Sequence, residues 1–537
     1  MDEPATSPTI SDFLADSVSR RGDEPALGYI RGGELQWLTW QQVADEAAHL
    51  AASIRAAGIA PGDRVAHVSE NRYEWIITDL AIHLAGAVHV PIHVTLSVEQ
   101  IAEQILDCNA RLVFVSNAEL AAKVSDRLLV TAPIFLHDDF TRAANQRFAG
   151  APAKPQAIDI TNTQSPAPND LATILYTSGT TGRPRGVMLS HDNLASNALG
   201  VVEAFGADYE ETRLCVLPLS HIYARTCDLY TWVCRGSRLI LAQSRETLAE
   251  DLQLVQPTAL NAVPFLFQRI ADRIRAAGGD EATALRDFFG GRMEMLNSGG
   301  APLSPDVERW FIQHEVPILV GYGLTETAPV VSFSTQQARR PGTVGHLLAG
   351  VDVRIADDGE ILVRGPNIML GYWRDEAATA EVVRDGWFHT GDLGDLDADG
   401  FLSIRGRKKE LIVLSTGKKV APTRVELLLT ASPLIEQAAV FGEGQCGIVA
   451  LIVPAECGLA TTTDPATQHE TYAAEINRCL EAAAHEEQVH QFHLLDRPFS
   501  IERGEMTGKL SLCRKVIARN FAAELRRLEG PTQPTPS

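Results

Sequence analysis

The sequence is short of positive charge and has no long apolar run. Its 537 residues include 47 lysines and arginines against 68 aspartates and glutamates, a formal net charge of −21 at pH 7. Because phosphate contacts need clustered Lys and Arg, this balance argues against nucleic acid or an anionic membrane as the main partner. No stretch approaches the roughly 18 consecutive apolar residues of a transmembrane helix. The opening MDEPATSPTI lacks the basic end and apolar core of a secretory signal, so we expect a cytoplasmic protein.

The eight cysteines are scattered through the chain and form no familiar framework. None belongs to a C-x-x-C pair, and none has a histidine partner at the spacing of a zinc site. We therefore expect free thiols in a reducing compartment rather than disulfides or zinc ligands.

What the sequence does contain is a run rich in glycine and hydroxyl groups, YTSGTTGRPRGV, at residues 176–187. Glycine lets backbone N–H groups turn toward an anion, and a solvated turn is the simpler alternative only for a shorter segment. No lysine follows Gly182, so the run is not the P-loop of common nucleotide hydrolases. We interpret it as a phosphate-binding loop whose candidate contacts are Thr177, Ser178, Gly179, Thr180, Thr181 and Arg185.

This run resembles the phosphate-binding loop of the adenylate-forming superfamily, which includes acyl-CoA synthetases, firefly luciferases and the adenylation domains of peptide synthetases. Five further segments match the superfamily's motifs in order and spacing, from about residue 20 to about residue 520. Segments 217–225 and 406–422 are most similar to the long-chain fatty acyl-CoA synthetase branch. The matching segments are Leu217-Pro-Leu-Ser-His-Ile-Tyr, Asn297-Ser-Gly-Gly-Ala-Pro-Leu, Gly321-Tyr-Gly-Leu-Thr-Glu-Thr, Trp387-Phe-His-Thr-Gly-Asp-Leu-Gly and Gly406-Arg-Lys-Lys-Glu-Leu-Ile-Val.

The pattern of apolar residues predicts an α/β fold. Short β-rich runs alternate with amphipathic helical stretches, as in 64–86 and 110–128, and this alternation is typical of layered parallel sheets. The segment 351–371 alternates like a strand and is broken by Asp357-Asp-Gly, which predicts a hairpin.

The length predicts at least two domains. Between Arg405 and Arg424 seven basic residues accompany one acidic residue, Glu410, and this cluster is either a solvated face or a phosphate-handling one. We place a domain boundary here, as the resemblance also implies. We expect an N-terminal AMP- and acyl-binding domain of layered sheets and helices at 1–405, a small mobile α+β lid at 406–529 and a disordered, proline-containing tail at 530–537.

The resemblance implies that the small domain rotates between two half-reactions, adenylation of a carboxylic acid by ATP and transfer of the acyl group to the thiol of coenzyme A. The pivot of the motif falls on Lys409. Gly417, next to Lys418, would let the backbone approach the pantetheine arm of coenzyme A without a side chain between them.

The resemblance also assigns nucleotide and substrate contacts. Glu326 matches a position that binds Mg²⁺ against phosphate oxygens, although an isolated Thr-Glu pair is also a helix cap. Asp392 would accept hydrogen bonds from the ribose hydroxyls, with a simple Gly-Asp turn as the alternative. His221 would lie beside the acyl carboxylate, with a core imidazole as the alternative. The other assignments are Tyr322 and Gly323 at adenine, Gly300, Ala301 and Pro302 at the other edge of the base, Thr325 at the α-phosphate and Arg407 at the ribose.

Three positions depart from the superfamily pattern. Arg185 replaces the lysine of Pro-Lys-Gly and keeps the charge on a planar group, and Phe265 replaces an arginine. Aligned without a gap against the long-chain pattern, residues 505–517 place Ser511 where a lysine bridges the substrate carboxylate and the α-phosphate during adenylation. Lys509 lies two residues earlier, about 7 Å away in an extended segment, so its use would need a shift of the strand.

Loss of one such charge typically costs on the order of 10²- to 10³-fold in rate, whereas thioester formation does not use this lysine. We therefore predict an acyl-CoA ligase that forms a thioester from an acyl-adenylate and coenzyme A, with impaired adenylation and a separate adenylating enzyme as partner. Such a chain resembles the non-adenylating ligases of bacterial natural-product pathways. The alternatives are a complete ATP-dependent synthetase that uses Lys509 or Arg185, a carrier-protein acyl ligase, and a silent acyl-adenylate binder. A bulky hydrophobic acid is expected in a pocket lined by Tyr223, Phe265 and residues 328–331.

Overall fold

The computed structural model describes residues 7–127, 134–136, 166–177, 184–206, 210–455, 464–500, 502–506 and 512–529. Within these ranges no helix has the length and apolar character needed to cross a membrane.

The described strands, in chain order, are β1 (Pro25–Arg31), β2 (Glu34–Thr39), β3 (Arg64–Val68), β4 (Val88–Ile92), β5 (Leu112–Val115), β6 (Ile134–Leu136), β7 (Leu171–Thr177), β8 (Arg185–Ser190), β9 (Thr212–Cys215), β10 (Arg238–Leu241), β11 (Ala259–Ala262), β12 (Met295–Ser298), β13 (Ile318–Gly323), β14 (Val330–Phe333), β15 (His346–Leu347), β16 (Asp352–Ile355), β17 (Glu360–Arg364), β18 (Gly371–Tyr372), β19 (Val383–Arg384), β20 (Trp387–Leu396), β21 (Leu402–Arg407), β22 (Ile412–Val413), β23 (Lys419–Val420), β24 (Ile435–Phe441), β25 (Ile448–Pro454) and β26 (Val489–Leu494). The described α-helices are α1 (Ile10–Arg21), α2 (Trp40–Ala56), α3 (Tyr73–Leu84), α4 (Val98–Asp107), α5 (Ala118–Arg127), α6 (His191–Phe205), α7 (Ile222–Ala224), α8 (Thr231–Arg235), α9 (Leu248–Val255), α10 (Pro264–Ala277), α11 (Glu281–Phe288), α12 (Pro305–Gln313), α13 (Glu376–Val382), α14 (Pro422–Thr430), α15 (Pro465–Cys479), α16 (Arg514–Asn520) and α17 (Ala522–Glu529). A π-helix spans Arg225–Tyr230, and 3₁₀ turns span Thr325–Thr327, Lys408–Glu410 and His485–Glu487.

The first large sheet has seven strands in the order β18-β8-β7-β4-β3-β5-β6. Strand β3 pairs in parallel with β4 and β5, and β4 pairs in parallel with β7. Every residue of β4 and β5 is buried, as expected for parallel strands that are covered on both faces. The predicted α/β fold with parallel strands is confirmed.

The second large sheet has nine strands in the order β15-β14-β13-β12-β11-β9-β10-β1-β2. Strands β9 to β13 are mutually parallel, and β13 then pairs antiparallel with β14. The carboxyl ends of β11, β12 and β13 therefore meet at one edge, which is where ligands bind in open α/β sheets.

The two large sheets pack on a shared layer of helices. One hydrophobic cluster joins Leu27 and Leu239 of the nine-stranded sheet to Leu112 and Leu189 of the seven-stranded sheet. Within this layer the indole rings of Trp40 and Trp232 stack at a centroid distance of 4.5 Å. Because both sheets rest on one core, their loops are held in fixed positions relative to each other.

A smaller sheet and a C-terminal unit complete the chain. Strands β16 and β17 pair antiparallel with Ile355 opposite Ile361, so the hairpin predicted at 351–371 is confirmed. Strands β20 and β21 form the next antiparallel pair. Beyond residue 411, strands β24, β25 and β26 form a three-stranded sheet. With α14 and α15 it encloses a hydrophobic cluster that contains Val425, Ile452 and Tyr472.

Candidate active site

A cavity of about 3290 Å³ lies at the carboxyl edge of the nine-stranded sheet. Its walls come from the ends of β11 to β13, from residues 388–391 of β20, from residues 407–412 at and after the end of β21, and from residues 512–515 near the C-terminus. Thr177 and Pro184, which flank the glycine-rich run, line the same cavity. Segments more than 300 residues apart in the chain therefore face one space.

Three of the predicted nucleotide residues form one polar cluster at this cavity. The hydroxyl of Tyr322 donates to Oδ2 of Asp392 at 2.7 Å, and Nε of Arg407 forms an ion pair with Oδ1 at 2.7 Å. Asp392 lies directly opposite Arg407 in the β20–β21 pair, so the ladder itself brings these side chains together. Tyr322 and Arg407 line the cavity, whereas Asp392 lies behind them and is 3% exposed.

Burial dominates the electrostatics of this cluster. It raises the pKa of the Asp392 carboxyl above its ordinary value, against the lowering effects of the Arg407 charge and the Tyr322 hydrogen bond. Burial, followed by the nearby Asp392 charge, raises the pKa of the Tyr322 hydroxyl well above 10. Tyr322 therefore stays protonated and acts as a hydrogen-bond donor.

Glycine is required at one position beside this cluster. A Cβ atom on Gly323 would overlap the carbonyl oxygen of Pro329, because β13 turns there into the short helix that carries Thr325. At Gly321 the nearest atom to such a Cβ would be 3.5 Å away, which is ordinary contact.

Glu326 is held by a tyrosine that the sequence did not single out. The Tyr372 hydroxyl donates to Oε1 of Glu326 at 2.9 Å, and the guanidinium of Arg185 lies 5.3 Å from the centre of the Tyr372 ring. Arg185 also pairs with Asp375 at 3.9 Å. Burial and the Glu326 charge raise the pKa of Tyr372, so it too remains a donor. The carboxylate of Glu326 bonds this tyrosine rather than capping the helix in which it lies.

The glycine-rich run is anchored at both ends. Thr177 lies opposite Arg185 in the β7–β8 pair, and its hydroxyl donates to the Arg185 carbonyl oxygen at 3.5 Å. The loop therefore leaves and re-enters the sheet at one point on the cavity wall. The predicted contacts Ser178, Gly179, Thr180 and Thr181 lie outside the described residues.

His221 lies in the cavity wall beside a second histidine. Its Nδ1 accepts a hydrogen bond from the backbone N–H of Tyr223 at 3.2 Å, and its ring lies 6.2 Å from that of His93. Nδ1 of His93 is 2.7 Å from the Ser220 hydroxyl. His93 was not singled out from the sequence, although it directly follows buried strand β4 at its carboxyl end, the position where ligand contacts occur in such sheets.

The segment after β12 is only partly at the cavity. Gly299 and Gly300 line it, whereas Ala301 and Pro302 do not. A Cβ on Gly299 would be 3.0 Å from the Tyr223 ring, so glycine lets the chain pass close to that ring. In the expected acyl pocket, Tyr223, Phe265, Pro329 and Val330 line the cavity, while Ala328 and Val331 pack elsewhere.

The predicted hinge lies where the C-terminal unit begins. Lys409 is exposed and lines the cavity, and its neighbour Lys408 pairs with Asp358 at 2.6 Å and Glu360 at 2.9 Å. Gly417, with φ of +79°, and Lys418 lie in the turn between β22 and β23 and do not line the cavity.

Lys509 and Ser511 lie outside the described residues, but their surroundings are described. Met506 and Leu512 pair in an antiparallel bridge, and the N–H of Cys513 donates to the Glu505 carbonyl oxygen at 2.8 Å. Arg514 donates to Glu410 at 2.7 Å and also pairs with Glu426.

Comparison with known proteins identifies the family to which the chain belongs. The model of the AMP-binding enzyme family matches residues 14–373, and that of the AMP-binding enzyme C-terminal domain matches residues 409–529. The chain belongs to the AMP-binding enzyme family.

Relatives in this family are similar to this chain over most of its length. A long-chain-fatty-acid–CoA ligase, FadD15, of Mycobacterium bovis is 33% identical over 91% of this chain and 92% of its own length. A feruloyl-CoA synthase of an Amycolatopsis species is 32% identical over 78% of this chain and 84% of its own length. The crystal structure of ATP-bound MatB from Rhodopseudomonas palustris superposes with a TM-score of 0.78 and 27% identity, over 96% of this chain and 100% of that one.

The predicted superfamily is confirmed, and this AMP-binding enzyme is an acyl-CoA ligase of the AMP-forming type. Its family uses ATP or AMP and coenzyme A.

Proposed function

We propose that this enzyme transfers an acyl group from an acyl-adenylate to coenzyme A and that its own adenylation step is impaired. One combination carries the proposal: Tyr322, Asp392 and Arg407 cluster at the cavity, and the ungapped alignment puts Ser511 at the position of the adenylating lysine. A serine hydroxyl brings no positive charge between a carboxylate and a phosphate. A separate adenylating enzyme would then supply the acyl-adenylate.

The contacts on both sides of position 511 support this register. For Lys509 to take the place of Ser511, the chain would have to slip by two residues. Such a slip would break the bridge between Met506 and Leu512 and displace Arg514 from two carboxylates. Removing one partner of a partly buried ion pair is costly, so these contacts oppose the slip.

We assign the nucleotide contacts as follows. The Tyr322 ring faces adenine, and Gly300 with Gly323 lets the backbone approach the base. Oδ2 of Asp392 accepts the Tyr322 hydrogen bond and Oδ1 is paired with Arg407. The carboxylate therefore keeps lone pairs for the ribose hydroxyls, while Arg407 fixes it from the solvent side. Thr325 and the run 177–185 contact the phosphates.

Glu326 is the proposed Mg²⁺ ligand. Its carboxylate is oriented by Tyr372 and lines the cavity. In the described part of the chain, no group of three or more His, Cys, Asp or Glu side chains is placed to hold a metal ion. Nucleotide phosphates and water would therefore complete the shell, which is how proteins usually bind Mg²⁺. When bound, the ion would neutralise charge on the phosphates.

We propose a domain boundary at 405/406 and rotation about Lys409. The clusters beyond residue 411 form their own hydrophobic core, which supports an independent lid. Lys408 pairs with Asp358 and Glu360 across this boundary, and since Lys408 and Asp358 are about half exposed, the contact is weak enough to break during rotation. Rotation would bring Gly417 and Lys418 to the cavity, and the pantetheine arm of coenzyme A would then pass beside Gly417.

The acid is proposed to be hydrophobic and bulky. Val201, Phe205, Tyr223, Val330 and Phe333 line the part of the cavity behind His221. Relatives named for long-chain fatty acids and for ferulate agree with an apolar acyl group. We propose that His221 and His93 lie beside the acyl carbonyl.

A paired assay tests the proposal. One arm measures pyrophosphate release from ATP with fatty, aromatic and polycyclic acids, and the other measures thioester formation from the matching synthetic acyl-adenylates and coenzyme A. We expect thioester formation without appreciable pyrophosphate release. Ser511→Lys should raise pyrophosphate release by about 10²-fold, since it restores one preorganised charge, while the control Lys509→Ala should change neither rate.

Other results would contradict it. Substantial wild-type pyrophosphate release that Lys509→Ala abolishes would identify a complete synthetase that uses Lys509. Failure of both arms would identify an acyl-adenylate binder without ligase activity. A thioester formed with a carrier protein's phosphopantetheine but not with coenzyme A would identify a carrier-protein ligase.

A further inference from the structure

The acyl side of the cavity ends against polar side chains inside the nine-stranded sheet. Asn261 of β11 lies beside Asn297 of β12, and Arg213 of β9 lies beside Ala259 of β11. Arg213, Asn261 and Asn297 all line the cavity, although Arg213 is only 4% exposed and Asn261 only 1%. Opposite them, Val201, Phe205 and Cys227 supply an apolar wall.

These polar side chains form a chain of hydrogen bonds. Nδ2 of Asn297 donates to Oδ1 of Asn261 at 2.8 Å, and Nδ2 of Asn261 donates to Oδ1 of Asp228 at 2.7 Å. Nη1 of Arg213 donates to the same Asp228 oxygen at 3.4 Å, and its Nε donates to Glu211 at 2.5 Å. Asp228 belongs to the π-helix, an irregularity that is common at functional sites.

Part of the hydrogen-bonding capacity of this cluster is unused. Within the described ranges, Oδ2 of the fully buried Asp228 has no hydrogen-bond partner. Over the same ranges, neither Nη2 of Arg213 nor Oδ1 of Asn297 takes part in a hydrogen bond. Burial raises the pKa of the Asp228 carboxyl to about 7, so this group can accept or donate near neutral pH. Arg213 and Asn297 line the cavity, so an acyl chain bound there would cover Nη2 and Oδ1. Polar groups that are covered without a partner are costly, which points to a ligand group that completes them.

The cluster lies at a definite depth in the cavity. Met295, Ala259 and Arg213 share one register across the sheet, and Met295 is four residues before Gly299 at the carboxyl edge. At about 3.3 Å per residue, Arg213 lies about 13 Å and Asn297 about 7 Å below that edge. An acyl group whose carboxyl carbon is at the edge would reach both with its distal part.

We propose that the acid this enzyme handles carries a hydroxyl or keto group, about 7 to 13 Å from its carboxyl carbon, that binds Arg213 and Asn297. A hydroxyl oxygen would accept from Nη2 of Arg213, and its hydrogen would be donated to Oδ1 of Asn297. The inference rests on the proposed function, because that function places the acyl chain of an acyl-adenylate in this part of the cavity. A plain hydrocarbon chain would leave these groups unpaired and be discriminated against.

The test compares two mimics of acyl-adenylates that cannot react, decanoyl sulfamoyl-adenosine and ω-hydroxydecanoyl sulfamoyl-adenosine. Their affinities for the full chain are measured by titration calorimetry. The hydroxylated mimic is expected to bind about 10- to 100-fold more tightly, since it gains a hydrogen bond to a charged group. Asn297→Leu and Arg213→Met should each remove most of this preference.

Two features keep the test decisive. Arg213→Met leaves the buried Glu211 with only Arg235, at 3.9 Å, so this variant can fail to fold. Asn297→Leu keeps the backbone oxygen that accepts from the Tyr223 hydroxyl and carries the test in that case. The control Val201→Ala, on the apolar wall, should weaken both mimics equally.

The outcomes separate the inference from the function beneath it. Equal wild-type affinity for the two mimics overturns the inference and leaves the proposed function standing. A preference that persists in both variants also overturns it, because the oxygen would then be bound elsewhere. Failure of both mimics to bind overturns the proposed function and the inference together.

Discussion

Replacing Asp392 by asparagine tests the centre of the proposed nucleotide site. The substitution keeps the shape of the side chain but removes its charge. The carboxylate now accepts a hydrogen bond from Tyr322 and forms an ion pair with Arg407, at 2.7 Å each. A hydrogen bond to a charged group contributes about 1.5 to 3 kcal/mol. An amide can still accept from one ribose hydroxyl, so we expect one such bond to be lost and AMP affinity to fall about 10- to 100-fold. Because the Arg407 side chain is half exposed, it can turn to solvent, and the fold should lose only about 1 kcal/mol.

The measurement is calorimetric titration of AMP into wild type and variant, with thermal unfolding recorded in parallel. The same two strands supply a matched control. Asp395 pairs with Arg405 across β20 and β21, but this pair is exposed and does not line the cavity. Asp395→Asn should leave AMP affinity unchanged, as expected for a solvated ion pair. Equal losses in the two variants, or unchanged affinity in Asp392→Asn, would refute the proposed role of Asp392.

Three further predictions follow from single contacts. Tyr372→Phe removes the hydroxyl that orients Glu326 but keeps the aromatic ring beside Arg185. Because Glu326 is the proposed Mg²⁺ ligand, calorimetry should show about 10-fold weaker binding of MgATP and unchanged binding of AMP in the absence of metal. Gly323→Ala should lower the free energy of unfolding by about 2 kcal/mol or more, because its Cβ would overlap the Pro329 oxygen. Gly321→Ala, whose Cβ would make only ordinary contacts, should leave the unfolding temperature nearly unchanged, and equal behaviour of the two variants would contradict this. Hydrogen bonds from Arg497, Asn520 and Arg503 lower the pKa of Glu505 from 4.5 to about 2, so the stability that this carboxylate contributes is present above pH 4.5 and is lost as the pH falls toward 2. Glu505→Gln should lower the free energy of unfolding at pH 7 by about 3 kcal/mol and make stability less dependent on pH between 4.5 and 2. An acid-unfolding curve by circular dichroism that is the same in wild type and variant would contradict the assignment.

The residues proposed to contact the nucleotide could be selected from the sequence because each lies in a local pattern. The Gly-Asp of residues 391 and 392 and the basic run at 405–409 were both visible as motifs, and the structure adds that they face each other across one strand pair. The hairpin at 351–371 was equally local, since strand alternation and an Asp-Gly turn determine it.

Tyr372 and His93 could not be found in the same way. Their partners lie far away in the chain: Tyr372 binds Glu326, 46 residues distant, and His93 binds Ser220, 127 residues distant. Such pairs form only because of the way the sheets pack, and a single sequence does not show which residues distant in the chain become neighbours in space. The polar residues that line the proposed acyl pocket were missed for a related reason, because Arg213 and Asn261 lie in short, mainly apolar strands and give no periodic signal of their own.

The bridge between Met506 and Leu512 has a consequence for how enzymes of this kind diverge. Both anchors belong to the scaffold of the C-terminal unit, and only five positions, 507–511, separate them. An exchange at position 511 alters neither of these two anchoring residues. Under the proposed role of this position, gain or loss of one ammonium group there would convert a self-sufficient activating enzyme into one that depends on another catalyst upstream, without a change of either anchor.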